Sequence, residues 1–123
     1  MKRYISIVLL SIPLLLVSCD KNDNFGNPSK ITFEKEGGTK ICTGTDSFYS
    51  IEVANYNGDG AEDSEENMDS LKVTYNWLTV KCKKLVGAKL EMTAIPNHTG
   101  KKRTLYVRGM VDNDCAEIKV IQH

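Results

Sequence analysis

The densest chemistry in the chain lies between residues 55 and 70. Asn55, Asn57, Asp59, Asp63 and Glu66 occupy places one, three, five, nine and twelve of a stretch whose sixth residue is Gly60. That is the spacing of a calcium-binding loop, where hard oxygen donors surround the ion and a glycine makes the sharp turn. Against it, Asn stands at the first place instead of Asp, Glu62 sits where an aliphatic residue is usual, and neither flank reads as helical. The competing expectation is a solvated acidic loop, and Ca2+ is the one cofactor the sequence suggests. Tyr56, inside the same stretch, is the tyrosine most expected to be exposed. An exposed aromatic face suits a pyranose ring, and Tyr49, Tyr75, Tyr106 and Trp77 are its possible companions; such residues more often fill a core.

Nucleophilic or metal chemistry finds less support. Cys42, Cys82 and Cys115 allow three pairings with one thiol left over, and Cys82 alternates inward with Leu78 and Val80. The two histidines are His98, in a turn, and His123. No close Cys/His spacing suggests zinc, and no acid–base pair, nucleophile with a base, or phosphate loop suggests an enzyme. The expectation is a protein without catalytic residues.

The N-terminus sets the compartment. Lys2-Arg3 and the apolar run from Tyr4 to Val17 read as a signal peptide over residues 1–18, too short to span a bilayer comfortably. Leu16-Val17-Ser18-Cys19 resembles the bacterial lipobox, which implies acylation of Cys19. Two or three acyl chains hold a protein to a membrane stably where one does not. Residues 19–29 are rich in Asn and Asp and read as a flexible tether. The acidic residues after Cys19 resemble the surface-export signal of Bacteroidetes lipoproteins, whereas an Asp directly after the cysteine resembles the inner-membrane retention signal of enteric bacteria; the first is favoured and points to a lipid-anchored outer-membrane protein exposed on the cell surface. In that setting Asp69-Ser70-Leu71 resembles the Bacteroidetes O-glycosylation motif, with Ser70 as acceptor. Asn97-His98-Thr99 fits an N-glycan sequon, but turn chemistry explains it better.

Charge is balanced, with 16 basic and 16 acidic residues. Loss of Lys2 and Arg3 with the signal would leave the mature chain at about −2, which gives no basis for nucleic-acid binding. The balance conceals a split. Residues 59–69 hold six Asp or Glu, whereas 81–108 hold eight Lys or Arg with Glu91 alone against them.

These residues must be positioned by strands. From Lys30 onward, short β-rich runs alternate with Gly, Asn and Pro: 31–33, 39–43, 48–53, 71–75, 77–82, 89–95, 104–107 and 117–121. The pattern predicts one all-β domain over 30–123, an antiparallel sandwich of about seven strands.

Several fragments in this order resemble the BACON domain, an immunoglobulin-like module of Bacteroidetes. They are Phe33 with Glu36-Gly37-Gly38-Thr39, then Trp77-Leu78-Thr79-Val80, then Ala94-Ile95-Pro96-Asn97-His98-Thr99-Gly100 running into Arg103. The closing Ile118-Lys119-Val120-Ile121-Gln122 completes the match, over about residues 30–123. The sequence departs from the family in its acidic insert and its extra cysteines. The resemblance implies an immunoglobulin-like fold and association with a glycan or glycoprotein; a spacer or accessory subunit beside a protein partner in a larger complex is the alternative. The paired glycines fit a kink at backbone angles other residues resist.

Overall fold

The computed structural model describes residues 24–62, 64–67, 70–83 and 88–123. Residues 1–23, which carry the expected signal peptide, Cys19 and the first part of the tether, lie outside the described residues.

The domain is a β-sandwich of two five-stranded sheets. Sheet A holds β1 (Lys30–Phe33), β10 (Asp114–Gln122), β9 (Arg103–Val111), β3 (Ser50–Ala54) and β4 (Gly60–Glu62), in that order. Sheet B runs β2 (Gly38–Thr43), β8 (Lys89–Ala94), β7 (Leu78–Lys83), β6 (Ser70–Tyr75) and β5 (Ser64–Asn67). The pairings are antiparallel except β1 with β10, which run parallel. Period-two alternation explains the core. Ile51 and Val53, Leu71 and Val73, Leu78 and Val80, Leu90 and Met92, Leu105 and Val107, and Ile118 and Val120 are all buried between the sheets. Phe33 and Trp77 close one end.

Among the described residues ten strands stand where about seven were expected. The surplus comes mainly from the acidic insert, read from sequence as a loop. β4 pairs with β3 and β5 with β6, each at a sheet edge. Acidic residues weaken an isolated strand, yet an edge strand needs only one neighbour and tolerates charge facing water. The insert therefore passes from the edge of one sheet to the edge of the other. It also brings the acidic strand β5 into the same sheet as the lysine-bearing β6, β7 and β8. β9 and β10 are longer than the sequence suggested because Gly109 interrupts the β-branched pattern without interrupting the strand. A Cβ there would stand 2.5 Å from the Phe48 ring, so the missing side chain is what lets Phe48 pack into the core.

On the outer face of sheet B, Thr39, Thr93, Thr79 and Thr74 form one row across four strands. Hydroxyl pairs close at 3.0 Å (Thr39–Thr93) and 2.9 Å (Thr74–Thr79), a favourable cross-strand arrangement.

The second half of the expected flexible tether belongs to the fold. Asn24 and Phe25 both have φ of 53°, and Gly26 has φ of 80°, so the Asn and Gly residues here serve a left-handed turn rather than flexibility. Asn24 then acts as a surrogate strand residue: its Nδ2 donates to the carbonyl of Glu117 and its Oδ1 accepts from the Glu117 amide, both at 2.9 Å. Phe25 packs on the core and Asn27 is buried.

Candidate functional site

The outer face of sheet A carries the most site-like arrangement. Alternation turns Glu52 and Ala54 outward on β3, Tyr106 and Arg108 on β9, and Glu117 on β10. Register sets Glu52, Arg108 and Glu117 side by side in one row, and Ala54 beside Tyr106 in the next. Arg108 Nε donates to Glu117 Oε2 at 2.9 Å, and its Nη1 donates to Glu52 Oε1 at 3.3 Å. The three side chains are each roughly a third exposed (30–40%), so these ion pairs order the surface more than they stabilise the fold, at under about 1 kcal/mol apiece. Over this row stands the β3–β4 turn, which carries Tyr56, 87% exposed. Together Glu52, Ala54, Asn55, Tyr56, Gly58, Tyr106, Arg108 and Glu117 line an open groove of about 260 Å³.

The turn that holds Tyr56 has a clear local cause. Asn55 Oδ1 accepts from the amides of Asn57 (2.8 Å) and Asp59 (3.0 Å). The Asn55 amide donates to the Asp59 carbonyl at 2.8 Å, and Gly58, at φ 90°, closes the turn onto the Asn55 carbonyl. The sharp turn therefore falls at Gly58. Gly60, expected there from the calcium-loop spacing, is instead a strand residue whose Cβ would meet the Val53 carbonyl at 2.1 Å. Asn55, Asn57 and Asp59 thus share a β-hairpin turn. Asp63 and the side chain of Glu66 lie outside the described residues, and among those described no three His, Cys, Asp or Glu side chains converge on a point.

The other candidates resolve differently. Trp77 is 7% exposed, and the Arg103 guanidinium lies 4.9 Å from its ring centre; it is a core residue, not a platform. Tyr75 packs on the core, and the Tyr49 hydroxyl donates to the Asp112 carbonyl at 2.9 Å, fixed to the β9–β10 turn. Ser70 opens β6, half-buried and paired with Asn67 and Lys83, while Asp69 lies outside the described residues.

Neither Cys42 nor Cys82 takes part in a disulfide, so none of the three pairings forms. Register accounts for the first pair: Leu90 separates Cys42 from Cys82. Two strand spacings put their backbones about 9.6 Å apart, beyond disulfide reach. Burial pushes the Cys42 thiol above its ordinary range, the reverse of an activated nucleophile. Its sign follows: the folded state holds that proton more tightly, so stability falls as pH rises past about 8.5.

A larger concavity of about 590 Å³ lies at one end of the sandwich, lined by Lys35, Glu36, Pro96, Asn97, His98 and Gly100. Its Asn97 side chain serves the chain itself. Asn97 Nδ2 donates to the carbonyls of Lys101 (2.8 Å) and His123 (3.1 Å), and Asn97 Oδ1 accepts from the Thr99 amide (3.0 Å). This is the turn chemistry expected of Asn97-His98-Thr99, and it leaves the sheet A groove as the better candidate despite its smaller volume.

The sequence pointed to Tyr56 but not to Glu52, Arg108 or Glu117 as a group. Each alternates with buried neighbours, a signal that it faces outward. That β10, β9 and β3 lie side by side was the missing knowledge.

No protein-family model matches the chain, and no curated protein matches it significantly. Among solved structures it is similar to the NMR structure of a protein from Bacteroides thetaiotaomicron, with a TM-score of 0.54 and 20% identity over 78% of this chain and 80% of the other. At that identity the likeness carries the β-sandwich fold and nothing about activity.

Proposed function

We propose that this chain is a non-catalytic, BACON-like lipoprotein of the outer membrane, anchored through acyl chains on Cys19, whose sheet A groove binds glycan. The observation that carries the reading is the groove itself. Tyr56 and Tyr106 offer aromatic faces beside Glu52, Arg108, Glu117 and Asn55, a set of hydroxyl partners, in one shallow depression. Shallow, open and bordered by two aromatics, it suits a sugar ring resting on a surface more than a drug-like ligand enclosed in a pocket. Because Asn24 is fastened to Glu117, four residues separate the lipid-bearing Cys19 from Asn24 on the groove's β10 side, a reach of about 17 Å over five Cα steps. The site would then work close to the membrane surface.

A second reading, a spacer or accessory subunit, has its own support. The residues that carry the family resemblance are occupied in holding the fold: Gly37 in a tight crossing, Asn97 and Thr99 in a turn, Arg103 on Trp77, Gln122 in the core. What this chain shares with that family is therefore a scaffold, and any ligand must be recognised elsewhere.

A glycan array probed with the mature lipoprotein in detergent micelles separates the two. Binding is expected, weakened at least tenfold by Tyr56→Ala, which removes about one aromatic stacking contact without touching the core. A blank array from folded protein would leave the accessory reading in place.

A further inference from the structure

The charge arrangement in the groove goes one step further than glycan binding, on which it rests. We infer that the groove selects uncharged glycans and rejects those bearing carboxylate or sulfate groups.

Arg108 is the one cation among the residues lining the groove, and it is already engaged. Its Nε and Nη1 face a carboxylate on each side, so the row Glu52–Arg108–Glu117 carries a formal net charge of −1. Glu62 stands directly opposite Glu52 in the register and adds a second negative charge at the β4 edge. An acidic sugar would have to displace one carboxylate from Arg108 or lie against both. A neutral pyranose meets no such barrier. Its hydroxyls donate to the carboxylate oxygens that Arg108 does not hold, and hydrogen bonds to ionised acceptors are the stronger kind. Its C–H face lies against Tyr56 and Tyr106. Specificity of this sort comes as much from what the site repels as from what it attracts. One charge works the other way: Lys119, opposite Tyr106 in the register, stands outside the lining but on the same face.

The test uses sugars of one backbone that differ only in charge. The mature lipoprotein in micelles is measured against fully esterified and de-esterified polygalacturonate, and against dextran and dextran sulfate, beside the array. Neutral members and neutral array hits are expected to bind at least tenfold more tightly than their acidic counterparts at low salt, with the gap closing as salt rises. The paired substitution Glu52→Gln with Glu117→Gln should narrow the gap by admitting the acidic sugars. Equal or tighter binding of acidic glycans, lost on Tyr56→Ala or Lys119→Ala, would overturn the inference and keep the glycan site. No binding to any sugar would overturn the glycan reading, and this inference with it.

Discussion

Gly37→Ala is expected to destabilise the domain by about 3 kcal/mol or more. Two costs combine there. Gly37 has φ of 82°, a conformation that costs a residue with a side chain about 1–2 kcal/mol. Its position adds a collision, because a Cβ would stand 2.3 Å from the Ala94 carbonyl oxygen and 2.9 Å from the Ile95 carbonyl carbon. Both neighbours are backbone at the end of β8, held by the bond from the Ile95 amide to the Trp77 carbonyl, so neither can swing aside as a side chain would. The crossing from β1 in sheet A to β2 in sheet B is thus threaded over β8 at a point where only glycine fits. Gly58→Ala is the control: φ is 90°, but nothing lies within 4 Å of the added carbon. It should cost the conformational part alone, about 1–2 kcal/mol. Thermal unfolding of the two variants side by side reads the difference, which for a domain of this size is on the order of 5 °C or more. Equal losses would mean that the close crossing contributes nothing.

Gln122→Leu should cost about 2–3 kcal/mol, although it replaces one side chain by another of similar size at a fully buried position. Gln122 Nε2 donates to the carbonyls of Ile95 (2.8 Å) and Glu34 (3.1 Å), and its Oε1 accepts from Arg103 Nε at 2.9 Å. One amide thereby joins the ends of β1 and β8 to β9 from its own place on β10. Leucine would leave two carbonyls and a guanidinium N–H without that partner, and no apolar gain offsets this because the site is already dry. Denaturant unfolding with an unchanged m-value and a lower midpoint is the expected signature. A variant as stable as the parent would show that the amide fills space and no more.

Both residues show how much could be read beforehand. The Gly37-Gly38 pair announced a kink, and the alternation of Leu78, Val80 and Cys82 or of Ile118 and Val120 announced the inner faces; the sheets honour both. The charge-rich insert did not announce β4 and β5, because its residues disfavour strands in isolation and the stabilising partners, β3 and β6, are supplied by the tertiary fold. The composition of residues 24–29 misled for a related reason. Asn, Gly and Pro signal an absence of regular structure, yet here they build a turn whose Asn24 side chain bonds to β10. The candidate groove was legible at Tyr56 alone. Arg108 and Glu117 face each other across one hairpin, but Glu52 comes from β3, 56 residues before Arg108, and only strand order adds it to the row.

The proposed anchor is the claim on which the groove's setting depends, and mass analysis of the mature protein taken from membranes, without reduction, tests it most directly. The expected product is a chain beginning at Cys19 and carrying two or three acyl groups, lost on Cys19→Ser. An unacylated chain would contradict the lipoprotein reading and detach the groove from the membrane surface.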